Sequence, residues 1–247
     1  SSMSSDLPGE IDTSKPSVAR IYDSCLGGKD NYEVDRAVRR SILDVAPDMM
    51  LTTQDNREWL VRLTRYLTQR VGIAQFLDLG SGLPTMENTH QVAQRYNSES
   101  RVVYGDNDPI VQAHGRALLA ENNTTRFTAV DLTKPDEVLN SPEISQFLDF
   151  SEPIALYQIG TLHHHPDTAQ LREVMRTYVD ALAPGSYVAI SHFCNPGGEE
   201  GNIAEKIERS MVDGPMGSGH FRTPEEIEGF FPAPLEIVEP GLVATPD

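Results

Sequence analysis

From Gly72 to Phe193 the chain alternates short apolar runs with stretches of helical period, and the runs FLDL, VVY, IALYQI and YVAI carry apolar side chains on both faces. A strand of that kind has to be covered by helices above and below, which is the situation of a parallel sheet joined by helical crossovers. In chain order, IAQFLDLG reads as a strand, MENTHQVAQRY as a helix, RVVYGD as a strand, PIVQAHGRALLAEN as a helix and TRFTAVDL as a strand. PDEVLNSPEISQFL then reads as helix and turn, PIALYQIG as a strand, TAQLREVMRTYVDAL as a long helix and SYVAISHF as a fifth strand. The expected fold class is α/β, a doubly wound and mostly parallel sheet. Beyond it, EEGNIAEKIERSMV and TPEEIEGFF read as helices, and LEIVEPGLVA as one last strand with a tail.

Ahead of the sheet the texture is helical throughout: VARIYDSCL, NYEVDRAVRRSILDVA and NREWLVRLTRYLTQRV each repeat apolar residues at three- and four-residue spacing. The organisation expected is a disordered N-terminus over residues 1–15, a helical segment over 16–71 and the α/β domain over 72–247, the last two forming one compact unit. Ser1 and Ser2 ahead of Met3 read as a cloning remnant. No repeat or low-complexity tract interrupts the pattern.

Charge narrows the function. Twenty basic side chains against thirty-seven acidic ones leave a formal net charge of −17, which repels the phosphate backbone and argues against a nucleic-acid partner. Cys25 and Cys194, the two cysteines, lack metal-site spacing and fit a reducing compartment, so a cytoplasmic location is expected. No apolar stretch approaches the roughly eighteen residues of a membrane span, so neither a membrane nor an anchor is expected.

Ligands of an open parallel sheet bind beyond the carboxyl ends of its strands. The first strand ends in Asp78-Leu79-Gly80-Ser81-Gly82, where the glycines allow a sharp turn and a close approach to main-chain N–H groups. The spacing is not that of a dinucleotide site, and Glu87 near the next helix start is a poor neighbour for a pyrophosphate. The second strand ends in Asp106-Asn107-Asp108-Pro109, with Asp106 placed to grip a ribose diol and Asp108 suited to cap the helix after Pro109. The third ends in Asp131-Leu132; Asp131 could equally cap the helix near Pro135. An acidic rim of this kind suits a cationic or zwitterionic ligand.

FLDLGSG, YGDND and AVDL together resemble the class I, Rossmann-like S-adenosylmethionine-dependent methyltransferases, and more closely the actinobacterial S-adenosyl methyltransferase family once catalogued as a domain of unknown function. PSVARIYDSCLGGKDNYEVDR, QFLDLGSGLPTMENTHQVAQR, VVYGDNDPIV, ALAPGSYVAISH and RTPEEIEGFF with EPGLV carry that closer resemblance, over roughly residues 16 to 245. It implies S-adenosylmethionine as cofactor, S-adenosylhomocysteine as product, and a small-molecule acceptor, free or carrier-bound, in specialised natural-product metabolism. It also implies that Asp78, Gly80, Ser81 and Gly82 hold the methionine part, Asp106 the ribose, Asn107 the side of the adenine, and Asp131 and Leu132 its amino group. Residues 16–71 become a lid, with Lys29 closing on a carboxylate and Tyr22 and Tyr32 lining the substrate side.

The turn after the fourth strand departs from the family pattern. His163 matches, but His164 and His165 replace apolar residues, and imidazoles at that strand tip are candidate proton acceptors near neutral pH. The competing reading leaves them facing solvent or capping the next helix. His192 and His220 could reach the same cleft, and a metal site is not expected, since three consecutive histidines cannot converge on one ion from regular structure. A second hypothesis keeps the fold without methyl transfer: a cofactor-independent intramolecular displacement or cyclisation, with Asp78 or the histidines as base. A third is a silent binding partner, against which the intact Gly80, Gly82 and Asp106 weigh.

Overall fold

The computed structural model describes residues 11–80, 82, 87–119, 122–233 and 235–236. Its five strands are β1 (Gln75–Leu79), β2 (Arg101–Asp106), β3 (Thr125–Ala129), β4 (Ala155–Ile159) and β5 (Tyr187–Ser191). All pair in parallel, in the order β3-β2-β1-β4-β5. The direction of winding reverses between β1 and β4, so the carboxyl ends of these neighbours open a crevice that no crossover covers.

Alternation along each strand explains why the runs are apolar throughout. On β1, every residue of which is buried, Leu77 and Leu79 point into one helical layer, with Val138, Leu171, Met175 and Tyr178, while Phe76 points into the other, with Leu60, Leu67 and Ala93. The first layer is built by α6 (Pro135–Asn140), α7 (Pro142–Ser145) and α8 (Thr168–Asp180). The second takes α4 (Thr89–Tyr96) and the long N-terminal helix described next, and α5 (Pro109–Leu119) packs beside β3.

Among the described residues three helices precede the sheet: α1 (Val18–Cys25), α2 (Glu33–Val45) and α3 (Met49–Tyr66), which runs on as a π-helical turn over Leu67–Val71. Asp35, fully buried, ties the first two together: its carboxylate pairs with Arg20 at 2.9 Å and accepts the N–H groups of Ser17 at 3.0 Å and Tyr32 at 2.9 Å. A fully satisfied buried carboxylate fixes the angle at which α1 approaches the strand ends. Two more helices, α9 (Gly198–Val212) and α10 (Pro224–Glu228), follow β5, and Met211 of α9 joins Ile21, Val38 and Ile42 in a small separate core.

The structure moves two boundaries. The third helix begins at Met49, because MMLTTQD continues the helix ahead of Asn56. The fourth begins at Thr89, because Asn88 forms a capping box with Gln91 and stops the helix from starting earlier. The last strand expected over LEIVE lies, past Glu236, outside the described residues. Among the described residues no helix is long and apolar enough to cross a membrane.

Phe76 is wholly buried and meets the Tyr157 ring edge-on, centroids 5.9 Å apart. Phe76→Ala is expected to lower the unfolding free energy by about 3–5 kcal/mol with an unchanged urea m-value, measured by denaturant titration.

Candidate functional site

Beyond the carboxyl ends of β1, β2, β3 and β4 lies a cavity of about 270 Å³. The sheet supplies Asp78 from β1, Gly80 and Gly82 after it, Asp106, Asn107 and Asp108 at the end of β2, Val130, Asp131 and Leu132 after β3, and Gly160, Thr161, His164 and His165 after β4. Helix α1 adds Tyr22 and Asp23, and Leu26 just after it, as a cover, and α3 adds Asn56 and Arg57.

The glycine turn is fixed sterically. Gly80 has φ near +67°, and a Cβ there would stand 2.3 Å from Thr161 Cγ2, so no side chain fits between the turn and the β4 loop. Gly82, also at positive φ, donates its N–H to Asp106 Oδ2 at 3.0 Å, which ties the loop of the first strand to the acid of the second. Ser81 lies outside the described residues.

Negative charge dominates the lining. Asp78 is 5% exposed; burial pushes its carboxyl up to about 6, against the pull of a Thr89 hydroxyl hydrogen bond (2.8 Å to Oδ2) and the Arg57 guanidinium. Asp106 is raised by burial too, although its Oδ1 accepts the Asp108 N–H at 2.9 Å. Burial also raises Asp131, but hydrogen bonds from the Thr133 hydroxyl (2.7 Å) and N–H (2.9 Å) outweigh it and hold that carboxyl below its usual range. Asp108 caps α5 as expected, Oδ1 accepting the Ile110 N–H at 3.0 Å across Pro109, and Ser17 donates to its other oxygen. Asp23, Asp78, Asp106, Asp108 and Asp131 thus line the cavity with one guanidinium, Arg57, among the described lining residues. A ligand bearing positive charge relieves that imbalance, and a phosphate worsens it.

A model of the S-adenosyl methyltransferase family matches residues 4–247. The chain belongs to that family. A crystal structure of a candidate methyltransferase from Thermobifida fusca is 44% identical, covers 97% of this chain and 88% of its own, and superposes with a TM-score of 0.89. A DUF574 family protein from Streptomyces avermitilis is 36% identical, with coverages of 95% and 88% and a TM-score of 0.88. No curated protein matches the chain. The family's cofactor is S-adenosylmethionine, and the residues present fit it: a sulfonium and an α-ammonium group are the positive charges that an aspartate-lined, phosphate-averse cavity lacks.

Of the residues expected at the methyltransferase site, Asp78, Gly80, Gly82, Asp106, Asn107, Asp131, Leu132, Tyr22, His164 and His165 meet at the cavity, and three do not. His163 is 2% exposed and lies flat against Phe193, centroids 3.7 Å apart, with its Nδ1 accepting the Phe193 N–H at 3.2 Å. The tight 3₁₀ turn over Leu162–His164 sends successive side chains in different directions, so this ring faces inward. Lys29 is exposed, because its loop wraps the Asp23 carboxylate, which accepts from Asp30 N at 2.9 Å and Asn31 Nδ2 at 2.8 Å. Tyr32, at the N-cap of α2, lies under the Arg20 guanidinium at 5.2 Å and outside the cavity.

The imidazoles also differ from the expected proton acceptors poised near neutral pH. Burial, then the neighbouring His165, His220 and His192, push His164 down to about 3, and burial likewise lowers His163, His165 and His192. All four rings are therefore neutral at pH 7. No group of three His, Cys, Asp or Glu side chains among the described residues is arranged to hold a metal ion.

Sequence reasoning missed two arginines. Arg57 carries no signal, being one more polar residue on an amphipathic helix. Arg222 is 3% exposed and donates from Nε to Thr168 Oγ1 (2.9 Å), from Nη1 to Leu162 O (3.2 Å) and His192 Nε2 (2.9 Å), and from Nη2 to His165 O (2.6 Å). It clamps both ends of the histidine turn. Its placement directly before the capping box Thr223–Glu226, a signal legible in TPEE, was the available clue.

Asp78→Asn is expected to stabilise the ligand-free protein at pH 7.5 by on the order of 2–3 kcal/mol, since the native carboxyl titrates near 6 and the unfolded one near 4. A raised native pKa costs stability as pH rises through that window. The gain from Asn should therefore be absent near pH 4, grow up to about pH 6 and then level off, as read by thermal melts across pH.

Proposed function

We propose that this chain binds S-adenosylmethionine in the strand-end cavity and transfers its methyl group to a small-molecule acceptor. The observation that carries the reading is the convergence of five aspartates and two positive-φ glycines on the β1–β4 crevice. When bound, the cofactor supplies an activated methyl group, whose displacement asks the protein mainly for alignment. Asp78, with Gly80, Ser81 and Gly82, holds the methionine end, where its dry carboxylate meets the α-ammonium group. Asp106, already aimed by Gly82, takes the ribose hydroxyls; Asn107 flanks the adenine, and Asp131 and Leu132 meet its amino side.

The helices of residues 16–71 act as a lid, with Tyr22 and Leu26 shutting water out of the transfer site. Tyr22 stays a phenol there, burial pushing its hydroxyl well above the usual range. Neutral His164 and His165 orient the acceptor by hydrogen bonding and take its proton only as the new bond forms. Cys25 and Cys194 are both free thiols, which supports a cytoplasmic setting, and the acceptor is read as a small molecule of specialised metabolism, free or carrier-bound.

Calorimetry with S-adenosylhomocysteine tests the reading. The wild type should bind it and Asp106→Asn should weaken binding by roughly tenfold or more, the size of a charge-assisted hydrogen-bond pair to the ribose. Absence of any binding by the folded wild type would sink the proposal. An activity that persists without cofactor and survives Asp106→Ala would favour the intramolecular displacement instead.

A further inference from the structure

Behind the wall formed by Tyr22 and His164, whose rings meet edge-on at 6.4 Å, lies a second, smaller hollow of about 20 Å³ that shares both residues with the large cavity. Its chemistry is the opposite. The other walls are mostly apolar, among them Ile42, Leu43, Phe193, Met211 and Met216, and no carboxylate lines it among the described residues, whereas Arg39 does.

Two buried polar atoms on these walls have no partner. Arg39 donates through Nη1 to Ser24 O at 2.9 Å, but its Nε bonds to nothing; His164 is held through Nδ1 to Ser218 Oγ at 2.8 Å, but its Nε2 bonds to nothing. Dry, unpaired donors and acceptors are costly, and two on one small hollow read as groups kept for a ligand.

We propose that this hollow receives the methyl acceptor, and that the acceptor is a small aromatic hydroxy acid whose carboxylate meets Arg39 and whose hydroxyl meets His164 at the wall shared with the cofactor cavity. The assignment rests on reading the larger cavity as the S-adenosylmethionine site. The hollow is smaller than a ring as it stands, and the unbranched side chains of Met211 and Met216 are the walls that can swing aside. In the transfer, the hydroxyl oxygen forms a bond to the methyl carbon, the carbon–sulfur bond breaks, and its electron pair stays on sulfur. The hydroxyl proton goes to His164 Nε2, and the ring gives up its Nδ1 proton toward Ser218 Oγ, 2.8 Å away. As the bond forms the oxygen approaches an oxonium, far more acidic than an imidazolium, so even a weakly basic imidazole suffices to take the proton.

Titrations by calorimetry, with the protein saturated with S-adenosylhomocysteine, use 4-hydroxybenzoate and its neutral counterpart 4-hydroxybenzamide as probes. The hydroxybenzoate should bind roughly tenfold more tightly than the amide, one charge-assisted contact. Arg39→Met should erase that preference, and Met211→Trp, which fills the hollow, should abolish binding of both probes; each variant should keep its affinity for S-adenosylhomocysteine within about twofold, which also shows it folded. Wild type that binds S-adenosylhomocysteine but neither probe, or a preference that survives Arg39→Met, overturns the acceptor assignment alone. Wild type that fails to bind S-adenosylhomocysteine overturns the cofactor reading and this assignment with it.

Discussion

A carboxylate held out of water at the tip of a central strand is unfavourable until positive charge reaches it, and Asp78 is held that way with Asp106 beside it. The sheet cannot avoid the juxtaposition. Strands β1 and β2 are hydrogen-bonded neighbours, Asp78 pairs in register with Tyr104, and the chain of β2 ends two residues later at Asp106. Thr89 and Arg57 soften the repulsion without cancelling it, since the Arg57 guanidinium is itself partly stripped of solvent and its own pKa is lowered by burial. The free energy withheld from the empty fold at this point is returned when a cation binds, the usual relation between a functional cluster and the stability it costs.

The histidine turn answers a different requirement with a different device. Arg222, buried with no carboxylate within ion-pair distance among the described residues, holds the turn by donating to two main-chain carbonyls, a hydroxyl and a ring nitrogen. A fixed positive charge this close disfavours protonation of His163 and His192, and it fixes the His192 tautomer, because Nε2 must accept from the guanidinium while Nδ1 donates to Phe193 O at 2.7 Å. Neutral rings leave the aspartates as the dominant charges at the cavity, so a nearby imidazolium does not compete for them with a cationic ligand.

The fold and the gathering of acids at one cavity were legible because both are dictated by local rules. Two-sided apolar runs demand a covered sheet, a parallel sheet places its ligand at the strand ends, and the strand ends are where Asp78, Asp106 and Asp131 stand. Asp108 was readable as a cap from Pro109 alone. What escaped depends on direction rather than position: His163 and His164 are adjacent, yet a 3₁₀ turn faces one inward against Phe193 and the other toward the cavity. Lys29 looked available for a ligand until the loop around it proved to be wound on Asp23. Arg222 acts through a contact 54 residues away in the chain, a distance over which periodicity says nothing.

On the proposed reading, residues 16–71 carry more of the specificity than the sheet does. The sheet's contribution is an acidic cleft whose form follows from strand order, whereas Tyr22 comes from α1 and Arg39 from α2, and the angle between these helices is set by the buried Arg20–Asp35 pair at 2.9 Å. A change in that angle would move the wall shared by the two hollows while leaving the strand-end acids Asp78, Asp106 and Asp131 on the sheet. On the proposed reading, cofactor binding rests mainly on the ends of the strands and acceptor choice mainly on the packing of the helices laid across them. On that reading, substitutions along α1 and α2 should retune the acceptor while the strand-end acids stay as they are.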